Sequence, residues 1–430
     1  MPDSREKKDF IKEKVIEPEK DKKQILRQIG KRVLGFSICG FVFGICAVLA
    51  ALLLSPLLHH AYPKQTQEVV KIPKDAPDVQ EGDETTSAKE TSEPVADIVQ
   101  SAIQQYRYSA EDFANMISSL SEIGSDLDKT IVSIQSVKNE KEWFDNTVPT
   151  TGVCSGIVIA STDSEYVILA PIKATGGADS IEVTFDNGVV SAATVKGVDK
   201  ITGLSIVSVE KSNLEERTLQ SVGAISLGNS NEVRRGQVIM SIGSPMGMVH
   251  STSYGIVSYV ARNMSVVDGT ARFIYTDAKL DADSGTFIVN VKGELVGFAV
   301  KTSEKESNDS RRFVVYGISD FKNILERMSN AKTSPYIGIQ GAEIPLNMRE
   351  AGTPAGIYVT SCANDSPAYA AGIQVGDIVT DVGSISVKNI GEYKKALEGL
   401  NVGESIPVKV RRSSVGKYKE VVFTVNVGAR

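Results

Sequence analysis

Residues 276–298 read TDAKLDADSGTFIVNVKGELVGF. Two short apolar runs, TFIVN and LVGF, flank the turn residues VKGE, and a charged loop delivers Ser284 to the start of the first run. Strand-length runs closed by turn residues recur on both sides: TIVSIQSV, SGIVIA, YVILA, IEVTF, LSIVSV, VIMSIG, GIVSYV, RFIYTD and FVVYGI, with FDNG and GSPMG among the turns. Helical spacing is almost absent from 130 to 317. The pattern predicts a mainly β domain, a double barrel or a sandwich. A helix is expected at DFKNILERM (320–328) and a polar joint at 332–334. Residues 335–428 form a second strand-rich unit, with short helices at SPAYAAG and EYKKALEGL.

The chain has 430 residues, enough for two or three domains. With 41% hydrophobic and 23% charged residues, most of it can build globular cores. The net charge of −6 argues against a nucleic-acid partner, because phosphate binding needs a basic face. Only three histidines are present, His59, His60 and His250, so histidine catalysis and His-rich metal sites have few candidates. Cys39 and Cys46 lie in an apolar run, Cys154 and Cys362 stand far apart, and no CxxC spacing or disulfide framework is legible. No GxxxxGK[ST], GxGxxG or HExxH motif occurs, so neither a cofactor nor a metal is implied.

Residues 33–54, VLGFSICGFVFGICAVLAALLL, carry no charge. As a helix they span roughly 33 Å, enough for a bilayer core of about 30 Å. The 32 residues before them are too long and charged for a signal-peptide start, and 55–63 offers no clear cleavage site, so the segment reads as a retained transmembrane helix. Lysines and arginines crowd the N-terminal side, which keeps the tail 1–32 cytoplasmic and puts everything after the span outside the cytoplasm of a single-pass cell-membrane protein. Residues 59–94, rich in Pro, Glu, Lys, Thr and Ser, read as a disordered linker. Residues 95–128 show helical spacing through Val95, Ile98, Val99 and Ile103, then Phe113, Met116, Ile117, Leu120 and Ile123, and read as juxtamembrane helices packing on the next domain.

The segments SGIVIA, TGLSIV, LGNS, VIMSIGSPMGM, GIVSYVAR and 276–298 occur in an order and spacing that resemble the HtrA/Deg family, over about 300 residues from Thr130 onward. The resemblance implies a chymotrypsin-like double β-barrel over 130–330 followed by a PDZ domain over 335–428. Trypsin-like chemistry needs a serine nucleophile, a histidine base and an aspartate that orients the histidine. By the resemblance the serine position is Ser284, the histidine position is Ile172 in YVILAPIKA, and the aspartate position is Gly203 in TGLSIV. Isoleucine accepts no proton and glycine orients no ring. The loop around Ser284 is also about one residue short, with Thr286 and Phe287 in place of the family's second glycine and proline. Losing the base of such a triad costs on the order of a millionfold in turnover. His250 sits in a turn far from the histidine position and reads as a surface residue. Lys173 or Lys279 beside Ser284 would make a Ser–Lys pair, although solvated lysine is the simpler reading of both.

In the second unit, Tyr336-Ile337-Gly338-Ile339 is similar to the family's carboxylate-binding loop, and 356–389 to the strand, helix and AGIxxGDIV core of a PDZ module. The resemblance implies a groove in which backbone N–H groups take a terminal carboxylate and a strand edge pairs with a peptide, with Tyr393 and Leu397 lining it. The expected function is a membrane-anchored, extracytoplasmic HtrA-like pseudoprotease. It would bind C-terminal or extended peptide segments of other proteins as a scaffold, in envelope protein quality control, as a trimer by family resemblance. The rivals are an active endopeptidase using Ser284 with a non-standard base, and an assembly protein with a silent PDZ domain.

Overall fold

The computed structural model describes residues 68–75, 109–141, 147–301, 313–414 and 417–430. The expected membrane span 33–54 and the tail 1–32 lie outside these residues, as does most of the linker 59–94. Among the described residues no helix is long and apolar enough to cross a membrane.

Strands β1 (Ile131–Lys141), β2 (Thr147–Ser161), β3 (Glu165–Pro171), β4 (Ser180–Thr184), β5 (Val190–Asp199) and β6 (Leu204–Glu210) close into a barrel in the order β1-β2-β3-β6-β5-β4. Strands β7 (Val238–Gly243), β8 (Ser253–Val266), β9 (Gly269–Thr276), β10 (Thr286–Asn290), β11 (Leu295–Lys301) and β12 (Phe313–Gly317) repeat that order as β7-β8-β9-β12-β11-β10. Of the two β architectures the strand pattern allows, the chain adopts the double barrel.

The continuous apolar run of β3, EYVILAP, follows from burial on both faces. Tyr166, Ile168 and Ala170 fill the first barrel. Val167 and Leu169 point the other way, into a cluster with Met240, Phe287, Leu325 and Met328. The Val, Leu, Ile, Met and Phe side chains among these each contribute about 1.5–3 kcal/mol when fully buried. The helix expected over 320–328 begins as a 3₁₀ turn at Ile318–Phe321. It continues as α3 (Lys322–Ser329), the third α-helix among the described residues after α1 (Ala110–Asp128) and α2 (Glu216–Ser221).

Helix α1 starts at a capping box: the Asp112 N–H donates to Ser109 Oγ at 3.1 Å, and the Ser109 N–H donates to Asp112 Oδ2 at 2.7 Å. Its apolar stripe is only half used. Leu120 and Leu127 are buried, whereas Phe113 is 62% exposed and Met116 48%.

The linker reading of 59–94 needs correction at 68–75. This segment forms no helix or strand, but Val70 and Ile72 are buried in the cluster that includes Leu325 and Met328 of α3. Val70 exchanges two hydrogen bonds with the Asn330 side chain, at 3.0 and 2.9 Å. Asp75 meets Lys322 Nζ at 2.9 Å and accepts from Ser319 Oγ at 2.6 Å. The average composition of the stretch is polar, but two buried apolar residues, Val70 and Ile72, on either side of exposed Lys71 suffice to seat it.

The second unit pairs β13 (Pro335–Tyr336) with β20 (Gly428–Ala429). Its main sheet runs β14 (Ile339–Glu343), β15 (Ile357–Cys362), β16 (Ile378–Val382), β18 (Ser405–Ser414), β19 (Lys417–Asn426), with β17 (Ile385–Ser386) on β16. Helix α4 (Leu346–Glu350), which the sequence pattern does not announce, precedes the two expected helices α5 (Pro367–Ala371) and α6 (Ile390–Glu398). Asp377, 1% exposed, takes a two-pronged ion pair from Arg412 with both bonds at 2.7 Å.

Candidate functional sites

The first site lies where the two barrels meet. Ile172 opens a 3₁₀ turn directly after β3, and Gly203 directly precedes β6. Because β3 pairs with β6, the two positions are neighbours: the Ile172 N–H donates to the Gly203 carbonyl at 2.7 Å. The Ser284 loop is tied to both barrels. Ser155 N–H (on β2) donates to the Ser284 carbonyl at 2.7 Å, and Ser244 N–H (after β7) donates to the Gly285 carbonyl at 2.8 Å. Gly285 sits at φ +88°, and a Cβ there would fall 2.2 Å from the Ser155 carbonyl oxygen and 3.3 Å from Pro171 Cδ. Only glycine fits so close an approach, and it brings the Ser284 loop against the end of β3. The structure therefore brings Ile172, Gly203 and Ser284 to one place.

Within the loop, the organising side chain is Asp281, which the sequence reading did not single out. Ser284 Oγ donates to Asp281 Oδ2 at 2.9 Å. The backbone N–H groups of Ser284 and Asp283 donate to Asp281 Oδ1 at 3.1 and 3.0 Å. Thr286, 2% exposed, closes the loop by donating from Oγ1 to the Asp281 carbonyl at 2.8 Å and accepting from the Asp281 N–H at 3.1 Å. The spacing in DADS is the signal: aspartate side chains bond backbone N–H groups two and three residues on. In trypsin-like chemistry the serine N–H is one of the two donors that hold the oxyanion. Here that donor faces a carboxylate, the wrong sign of charge for stabilising a developing anion.

The hydroxyl of Ser284 is bonded to Asp281, not to any of the other candidate bases among the described residues. His59 and His60 lie outside the described residues. His250 Nδ1 is 3.5 Å from Asp128 Oδ1 at the end of α1. Lys173 and Lys279 are exposed. Cys154 lies beneath the loop, with Sγ 3.5 Å from the Asp283 carbonyl, and burial pushes its thiol pKa up. Among the described residues no group of three His, Cys, Asp or Glu side chains is placed to hold a metal.

The second site is the loop leading into β14. Gly338 has φ +89°, and a Cβ there would fall 2.2 Å from Ser366 Cβ, so a side chain is excluded both by backbone conformation and by space. This conformation turns three successive N–H groups toward one point. The point holds the carboxylate of Asp268, from the turn between β8 and β9. Ile337 N–H donates to Oδ2 at 2.9 Å, Gly338 N–H reaches Oδ2 at 2.9 Å and Oδ1 at 3.0 Å, and Ile339 N–H donates to Oδ1 at 3.0 Å. Tyr393 Oη donates to Oδ1 at 2.9 Å. Burial, with the Asp268 charge beside it, pushes the Tyr393 pKa well above the usual phenol value. Tyr336, half-buried on β13, has its hydroxyl 2.8 Å from where that Cβ of Gly338 would lie. Leu397, 4% exposed, packs in the core of the unit with Tyr393 on α6.

Two barrels of identical strand order with a serine loop at their junction, followed by a sheet unit with a carboxylate-binding loop, define a trypsin-like peptidase fold joined to a PDZ module. Residues 154–298 match the trypsin-like peptidase domain and 358–412 match the PDZ domain. The chain is 32% identical over 278 residues to serine endoprotease DegS of Haemophilus influenzae, covering 63% of this chain and 76% of that protein. It is 30% identical over 278 residues to putative serine protease HhoB of Synechocystis, and spans 64% of that relative's length. The solved structure of HtrA-type protease AlgW with decapeptide superposes with a TM-score of 0.51 at 20% identity, covering 72% of this chain and 98% of that one. The chain belongs to the HtrA family.

Proposed function

We propose that this chain is a membrane-anchored, extracytoplasmic HtrA-family protein whose peptidase fold is catalytically silent and whose PDZ unit is a receptor for C-terminal or extended peptide segments. The observation that carries the first half is the Ser284 loop. The hydroxyl and the N–H of Ser284 are both given to Asp281, and the neighbouring family positions are Ile172 and Gly203, which hold no proton acceptor on their side chains. The relatives are named as proteases, so the rival is hydrolysis by Ser284 with another base. Treating the full chain with a serine-directed fluorophosphonate separates the two. No labelling above the Ser284→Ala control is expected, and Ser284-dependent labelling would overturn the silent reading.

The receptor half is supported by the three converging N–H groups of Ile337, Gly338 and Ile339, which already hold one carboxylate. The anchor rests on residues 33–54. It predicts that the chain stays with membranes through an alkaline carbonate wash and loses that retention when 33–54 are deleted. Trimeric assembly and a role in envelope protein quality control are carried from the family. Sedimentation of the detergent-solubilised chain tests the trimer.

A further inference from the structure

Asp268 is held as a peptide C terminus would be, and the correspondence extends beyond its carboxylate. The Asp268 N–H donates to the Ile339 carbonyl at 2.7 Å. Val267 forms an antiparallel bridge with Gln340. Gln340 Nε2 donates to the Ser265 carbonyl at 2.9 Å, and Ser265 Oγ donates to the Gly341 carbonyl at 2.7 Å. The stretch 265–268 therefore lies antiparallel along the edge of β14, held by one backbone bridge and two side-chain hydrogen bonds, and ends in a carboxylate seated on converging N–H groups. That is the geometry of recognition by strand addition combined with capture of a terminal carboxylate. The hairpin supplies the ending that a chain interior lacks. Val266 pairs with Gly269, leaving a two-residue turn in which Asp268 adopts φ +59° and projects its side chain from the tip. Asp268 is 8% exposed and Tyr393 1%, so the seat is closed to solvent.

We propose that Asp268 is a tethered internal ligand of the PDZ groove, and that a peptide C terminus binds only by displacing the β8–β9 turn from it. This rests on the reading of the groove as a peptide receptor. A ligand on the same chain competes at an effective concentration in the millimolar range, and a receptor whose open state is a small fraction binds free ligand more weakly by that fraction. Displacement also frees the edge of β14 and removes one of the contacts between the peptidase fold and the PDZ unit, leaving those of Lys394 and Arg430. Occupancy of the groove is thereby coupled to how the two domains are joined.

The test uses the full chain in mild detergent with Asp268→Gly, which suits the left-handed turn, and Asp268→Asn, which keeps the shape and removes the charge. Hydrogen exchange at residues 336–340 is expected to rise about tenfold or more in Asp268→Gly, and exchange equal to wild type would overturn the proposal. A pooled random heptapeptide library with free carboxyl termini, and the same pool amidated, supply the binding arm. Retention of the free-acid pool is expected to increase about tenfold or more in Asp268→Gly, less in Asp268→Asn, and not at all for amides. Equal retention by wild type and variants would overturn the competition while leaving the receptor reading intact. No retention by any of the three proteins would remove the receptor reading, and the competition with it. Should Asp268→Gly fail to fold, Asp268→Asn carries both arms.

Discussion

At the scale of single residues, two aspartates hold the donors on which each site's chemistry depends. Asp281 sits three residues before Ser284 and takes its hydroxyl and its N–H. Restoring the family side chains alone is therefore expected to fail: Ile172→His with Gly203→Asp leaves fluorophosphonate labelling at background, and labelling appears only when Asp281→Gly is added. Labelling of the double variant would show that Asp281 does not block the site. Gly338 stands at φ +89° against Ser366. Gly338→Ala is expected to cost the PDZ unit about 1–3 kcal/mol from backbone strain alone, read as a lower urea midpoint. Ser284 was legible because a serine after a charged loop and before a strand stands out in one dimension. The role of Asp281 was less legible. An aspartate in a charged loop looks solvated until its carboxylate is seen to accept from Asp283 and Ser284.

At the scale of elements, helix α1 and the segment 68–75 show burial departing from pattern in opposite directions. The stripe of α1 predicts packing along its length, yet only its second half meets the barrels. Leu120→Ala is expected to cost about 2–5 kcal/mol in chemical unfolding, whereas Phe113→Ser should stay within about 0.5 kcal/mol of wild type. The segment 68–75 does the reverse, burying Val70 and Ile72 within a stretch too polar to fold alone. Its Asp75 is the carboxylate partner of Lys322, whose side chain is 3% exposed. Asp75→Ala leaves that ammonium buried and unpaired, and a loss of about 3–5 kcal/mol is expected, measured by thermal or urea unfolding. The strands of both barrels were legible because runs such as YVILA and LSIVSV suit a pleated surface wherever they pack. The seating of 68–75 was not, because two apolar residues carry no period.

At the scale of the whole molecule, the PDZ unit is joined to the peptidase fold at several points. Arg430 Nε donates to Asp199 Oδ2 at 2.9 Å, with the two side chains 7% and 2% exposed. Lys394 on α6 reaches the Asp320 carbonyl at 3.1 Å. With the Asp268 seat, these contacts join the two domains. Arg430→Ala is expected to cost about 3 kcal/mol, because a buried carboxylate loses its charged partner. Calorimetry should then show the PDZ transition separating to lower temperature, and a single unchanged transition would deny the coupling.

The sequence by itself determined the strand order's raw material, the two-domain division and the side chains available at 172, 203 and 284. These follow from residue types and local periodicity, which the chain carries wherever it goes. Only the tertiary structure decided what the donors of each site face. The Gly338 N–H finds its acceptor 70 residues away in sequence, on a hairpin of the other domain. No local propensity specifies such a partner, because it exists only once two separately packed cores have docked.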